Sequence, residues 1–308
     1  GPSGPFFLWY NIRMIFIFKT IKWFFVILFS LIFLIIGNYF SKVFAGYYRL
    51  NVEQVYASDH FNFLKSHFEV VKPSSGNKFP TIIMFHACGG PYPYLDSWQK
   101  FFSDNGIASI QVDSAGPRGM SRRTAIRTIC SGVDLQGQER AGDVYSVLTS
   151  LDQFSWIDND NLFLAGWSHG AYTLMDFMTM TNELVPSNII DFEEKNIPKI
   201  KGKITFYPHC GILNLSQKHD WRTKTPSLVF LADQDGFGLA TQPRDCIDLF
   251  ETMNKKERHV DFYLMENSTH VFDSEFYIRR GIVYNKEATD FAKNKIISFI
   301  KSSGSKDN

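Results

Sequence analysis

The chain has 308 residues, 44% of them hydrophobic and 20% charged, which suits a globular protein with one sizeable core in one or two domains. Its formal charge of +1 is unevenly spread. Residues 1–45 carry Arg13, Lys19, Lys22 and Lys42 and no acid, which leaves 28 basic residues against 31 acidic ones in 46–308. That balance offers no basic face to phosphates and argues against a nucleic-acid partner. No zinc-type cysteine pairs, P-loop or dinucleotide-binding glycine fingerprint is visible, so no metal or organic cofactor is expected.

The elements begin with a hydrophobic N-terminal helix. Gly1-Pro-Ser-Gly-Pro5 reads as a vector-derived remnant and Met14 as the natural start. Arg13, Lys19 and Lys22 precede the apolar run Trp23–Ile36, and Val43-Phe-Ala45 offers the small residues that a signal peptidase reads. The run has the length of a long signal-peptide core and falls short of the roughly 20 residues that span a bilayer. Residues 1–45 are therefore the remnant plus either a cleaved signal peptide or a membrane anchor. Positive charge ahead of the run holds that end in the cytoplasm. The remainder is then exported, to the periplasm or another extracytoplasmic space, and is tethered to the inner membrane if the segment is kept. Cys88, Cys130, Cys210 and Cys246 fit such a compartment, where two disulfides in any of three pairings are open to them.

Residues 46–301 read as one α/β domain. Apolar runs of strand length stand at Phe68–Val71, Thr81–Phe85, Ala108–Val112, Leu162–Ala165, Ile204–Tyr207, Leu228–Leu231 and Val260–Leu264. Several lack polar alternation, as strands buried on both faces do. Helices are predicted between them at Leu95–Ser103, Gln138–Asp152, Ala171–Met180, Arg244–Asn254 and Lys286–Lys301, and this alternation implies a mostly parallel sheet flanked by helices. The polar stretch 182–203 is a surface excursion or a small cap, with the surface reading favoured because few large apolar residues are there to line a pocket. The tail 302–308 is expected to be disordered.

The chemistry centres on Gly166-Trp-Ser-His-Gly170, where a strand ends and a helix begins. Two small glycines let the chain turn sharply, so Ser168 projects from the sheet edge as a nucleophile at the positive end of the helix that follows. A serine needs a base, and the base an orienting carboxylate. Asp233 and Asp235 follow the strand 228–231; one is a turn residue, and Asp235 is preferred as the acid. His270 follows the strand 260–264 as the base, which gives the order Ser, Asp, His. The turn His86-Ala-Cys-Gly-Gly90 after strand 81–85 suggests the backbone amides of Cys88 and His169 as oxyanion donors. His86, Trp167 and Arg118 are candidates to face substrate. For His86 packing is the alternative, and for Arg118 pairing with Asp113 or pinning its own loop is preferred.

From about Phe79 to Lys301 the chain resembles the dienelactone-hydrolase branch of the α/β-hydrolases. The resemblance rests on MFHACGG (84–90), VDSAGPRGM (112–120), ERAGDVYSVLTSL (139–151), AGWSHGAY (165–172), FYPHCG (206–211), FLADQDGF (230–237) and STHVFD (268–273). It implies the α/β-hydrolase fold with about eight strands, supports Asp235 and His270, and suggests the pairs Cys88–Cys130 and Cys210–Cys246. Dienelactone hydrolases proper use a cysteine nucleophile; with Ser168 in its place, the expectation is a serine hydrolase of a small-molecule carboxylic ester or lactone, acting through an acyl-enzyme. Acyl transfer, or amide and peptide cleavage, by the same triad is an alternative. A non-catalytic, membrane-anchored binding protein on this scaffold is another, which the complete Ser, Asp and His set argues against.

Overall fold

A computed structural model describes the chain except residues 1–4, 49–51, 237–241, 277–280 and 305–308. Seven strands form one sheet: β1 (Phe68–Val71), β2 (Phe79–Phe85), β3 (Ala108–Val112), β4 (Ile157–Trp167), β5 (Gly202–Phe206), β6 (Ser227–Ala232) and β7 (Val260–Met265). Their order is β1-β3-β2-β4-β5-β6-β7, with β1 antiparallel to β3 and every other pair parallel. Each apolar run becomes a strand. The implied count of about eight strands is corrected to seven among the described residues, because the chain offers only seven such runs.

Both faces of the sheet are buried, as near-continuous apolar strands require. Along β2, Ile83 and Phe85 point into one core, while Ile82 and Met84 point into the other, by the two-residue alternation of a strand. The first core is covered by α2 (Ala57–Lys65), α5 (Gly137–Leu148), α6 (His169–Thr179) and α7 (Pro243–Lys255); the second by α3 (Tyr94–Asp104) and α8 (Lys286–Gly304). Two helices were not foreseen, α2 and α4 (Arg122–Thr128), both short and polar on their outer faces. The tail prediction needs correction as well: residues 302–304 complete α8, and 305–308 lie outside the described residues.

The N-terminal helix α1 runs over Pro5–Tyr47, well beyond the apolar run that announces it, since Gly37, Asn38 and Ser41 are tolerated within it. Its apolar span Ile17–Tyr47 has 31 residues, none of them buried in its most apolar stretch, and is long enough to cross a bilayer by length and composition. The expectation of a span that falls short is corrected by this continuation. Its last turns rest on the domain. Tyr39 donates to Ser131 O at 2.6 Å, Gln136 donates to Val43 O at 2.9 Å, and Gln138 donates to the carbonyls of Gly46 and Tyr47. Gln138 thereby satisfies carbonyls that a helix end leaves without partners.

The stretch 182–203 lies against α2 and α5. Phe192 packs on the Tyr145 ring with centroids 4.6 Å apart, and the Ala57 amide donates to Asp191 Oδ1 at 2.8 Å. None of its residues lines the cavity at Ser168.

Candidate active site

Ser168 sits between β4 and α6 with φ 52° and ψ −110°, a conformation rare outside glycine. The flanking glycines make it attainable. A Cβ on Gly170 would stand 2.1 Å from Phe85 O, and one on Gly166 would stand 2.6 Å from the Gly170 carbonyl. The end of β4, the start of α6 and the end of β2 are thus packed backbone to backbone, and the hydroxyl is forced outward. Backbone strain of this kind persists only where its surroundings hold it.

Around that hydroxyl the structure brings together residues from three loops. His270 Nε2 lies 2.9 Å from Ser168 Oγ, and His270 Nδ1 lies 2.7 Å from Asp235 Oδ2. All three are buried, at 3–5% exposure, so these polar contacts are shielded from competing water. Asp233 does other work: its carboxylate accepts the amides of Asn267 and Ser268 at 3.0 and 2.8 Å and fixes the start of the His270 loop. The Tyr207 ring lies against His270 with centroids 4.6 Å apart.

The His86–Gly90 turn flanks the serine. His86 Nδ1 donates to Ala87 O at 2.5 Å, and the Gly90 amide donates to the same carbonyl at 3.2 Å. Holding that carbonyl turns the Cys88 N–H of the same planar peptide the opposite way. Among the described residues the Cys88 amide has no acceptor, and the His169 amide, first in α6, has no helical carbonyl to reach. The structure joins Cys88 to Cys130 and Cys210 to Cys246. Cys88 and Cys130 form a wall of the cavity over Ser168, a narrow space of about 30 Å³ also lined by Tyr92, Tyr94, Ile126 and Val271. A much larger hollow of about 990 Å³ lies at the opposite edge of the sheet, near Pro226 and Val260, away from this chemistry.

Three candidates for substrate contact are placed elsewhere. Arg118 forms a double bond set with Asp143, at 2.8 and 3.1 Å, and donates to Ser114 O; it pins its own loop as preferred, but its acid is Asp143 rather than Asp113. His86 is fully buried behind the turn, with Nε2 accepting the Ser114 amide, and both burial and nearby Arg140 push its pKa down. Trp167 is buried, stacked on Phe206, and donates its indole N–H to Asp273 at 2.8 Å. None of the three lines the cavity; Arg122 does, lying 3.9 Å over the Tyr92 ring.

Arg140 was missed by sequence reasoning, because a lone arginine inside a helical run carries no motif. It is fully buried and donates to His86 O at 2.8 Å, to Ser114 Oγ at 2.9 Å and to His169 Nδ1 at 3.2 Å. Burial lowers its pKa to about 10, so at neutral pH it is a fixed cation behind the His86–Gly90 turn. Burial, then Arg140, pushes His169 well down, and its ring stays neutral.

Comparison with known proteins gives the following. Residues 189–304 match the model of the dienelactone hydrolase family, a segment that holds Asp235 and His270 and begins after Ser168. Among solved structures, a dienelactone hydrolase-type protein from Klebsiella pneumoniae superposes with a TM-score of 0.58 at 11% identity, over 76% of this chain and 92% of its own. The propionate-bound Est2 esterase from Thermogutta terrifontis gives 0.52 at 15% identity, over 76% and 88%. Est1E from Butyrivibrio proteoclasticus, with ferulic acid bound, gives 0.52 at 14% identity, over 76% and 95%. At these identities the likeness is one of fold, the α/β-hydrolase fold. No sequence among the curated proteins matches the chain.

Proposed function

We propose that this chain is a carboxylic ester hydrolase of the dienelactone hydrolase family, whose model matches residues 189–304, and that it works through Ser168, His270 and Asp235. The observation that carries the reading is the run of two short contacts, Oγ to Nε2 at 2.9 Å and Nδ1 to Oδ2 at 2.7 Å, centred on a serine with positive φ. His270 takes the hydroxyl proton as Oγ adds to the ester carbonyl, and Asp235 holds the imidazole in the tautomer that leaves Nε2 free to accept it. The amides of Cys88 and His169 receive the negative oxygen, in the field of Arg140 behind them; each such donor supplies about 3–4 kcal/mol. Collapse expels the alcohol, which takes the proton from Nε2. Water, deprotonated by His270, then releases the acid and restores Ser168.

The substrate in this reading is a small ester or lactone, in keeping with the narrow space at Ser168. The domain is exported and held to the membrane by α1. Two disulfides support an oxidising compartment, and the clamp of Gln136 and Gln138 on the end of α1 supports a retained anchor over a cleaved signal. Labelling with a fluorophosphonate probe tests the nucleophile: mass analysis locates the adduct on Ser168, whereas a folded protein that takes no label rejects the mechanism. Detection of residues 17–47 in the membrane-bound natural protein tests the anchor.

A further inference from the structure

One buried carboxylate has no part in the proton path from Ser168 to Asp235. Asp273 lies in the His270 loop and is 6% exposed. Its Oδ1 accepts the Tyr207 hydroxyl at 2.6 Å, and its Oδ2 accepts the indole N–H groups of Trp98 and Trp167, both at 2.8 Å. Among the described residues no cation pairs with it, and burial pushes its pKa up against the pull of those three bonds. A carboxylate in such a place is costly, and apolar side chains filling the same volume would serve stability better.

The donors explain the placement. Trp167 directly precedes Ser168 at the end of β4. Tyr207 follows β5, and its ring covers the face of His270. Trp98 belongs to α3 and fastens the carboxylate to the helical layer. The joints being fastened are strained: Ser168, Tyr207 and Val271 all have positive φ, at 52°, 36° and 61°. Left-handed backbone at non-glycine residues relaxes unless neighbours hold it.

We infer that Asp273 is a positioning residue that keys the Ser168 elbow to the His270 loop and so sets the gap across which the proton moves. The inference rests on the Ser168–His270–Asp235 reading and adds to it a group that touches neither substrate nor reacting atoms. Its effect comes through geometry, where a misplacement of about 1 Å can cost on the order of 100-fold in rate.

The test uses the full chain, with kcat and KM for p-nitrophenyl acetate and a thermal melt for each variant. Asp273→Asn keeps the volume and one acceptor oxygen; it should lower kcat by roughly tenfold or more with KM within about twofold, well below its melting midpoint. Trp98→Phe and Trp167→Phe each delete one donor to the same oxygen and should lower the midpoint alike. Only Trp167→Phe, beside the nucleophile, should also lower kcat, by about tenfold, with Trp98→Phe staying within about threefold. Wild-type kcat in Asp273→Asn, or equal kcat losses in the two tryptophan variants, overturns the inference. Should Asp273→Asn fail to fold, the tryptophan pair decides alone. Ser168→Ala separates the two ideas: an inactive Ser168→Ala beside a fully active Asp273→Asn rejects only the role of Asp273, whereas an active Ser168→Ala rejects the triad as well.

Discussion

Asp233 and Asp235 share one turn after β6 and hold two points of the same loop, Asp233 at the Ser268 amide and Asp235 at the His270 imidazole. Their roles therefore separate by mutation. Asp235→Asn leaves the volume but favours the wrong imidazole tautomer, and kcat on an activated ester should fall by about 10⁴-fold. Asp233→Asn loses one of two amide bonds and should cost about tenfold or less, with a melting point lower by a few degrees. Steady-state kinetics of the pair identifies the acid; equal losses would contradict the assignment.

The two disulfides should behave differently. Cys88–Cys130 braces the turn that lines the cavity over Ser168, across 42 residues of chain. Cys130→Ser should lower kcat by about tenfold, with less change in KM, because the brace acts on the proposed oxyanion donor. Cys210–Cys246 ties the loop after β5 to α7. Cys246→Ser should lower stability by about 2–4 kcal/mol and leave kcat near its wild-type value below the new midpoint. Melting curves and kinetics of the two variants check this.

Arg140 is the buried cation behind the His86–Gly90 turn. Arg140→Met abandons the His86 carbonyl and Ser114 Oγ, each left-over acceptor costing about 1–3 kcal/mol, and it removes the field at the Cys88 and His169 amides. A loss of more than about tenfold in kcat/KM is expected, partly recovered in Arg140→Lys.

Lys203 is 1% exposed in β5, and its Nζ has no hydrogen-bond partner among the described residues, only the Trp221 ring beneath it at 3.3 Å. Burial, then Arg222, lowers its pKa well below that of a free lysine. The unfolded chain therefore binds the extra proton at pH values between the folded and unfolded pKa, and folding pays a penalty that grows as pH falls below about 10.5. Lys203→Met should stabilise the protein by about 1–3 kcal/mol at pH 7, and the gain should shrink as pH approaches 10.5. Thermal melts at pH 7 and pH 10 read this difference directly.

Much of the architecture was legible because strands buried on both faces write themselves as apolar runs, and all seven runs are strands. The order Ser168, Asp235, His270 was legible for a related reason: each follows its own strand, so the topology carries them to one sheet edge. Helices α2 and α4 escaped because they are short, with polar outer faces that mimic loops. Arg140 and Asp273 escaped for another reason. Their meaning lies in partners far along the chain, His86 and His169 for one, Trp98, Trp167 and Tyr207 for the other, and no local pattern encodes such pairings. His86 and Trp167, candidates to face substrate, lie in the packing instead, because adjacency to a motif in sequence says nothing about which side of the turn a side chain occupies.

The central claim is that Ser168 is the nucleophile. Its most direct measurement is hydrolysis of p-nitrophenyl acetate by the full chain and by Ser168→Ala, with both shown to be folded and to carry both disulfides. The mechanism predicts that Ser168→Ala loses about 10³-fold or more in kcat and takes no fluorophosphonate label. Activity within a few-fold of wild type in that variant would contradict it.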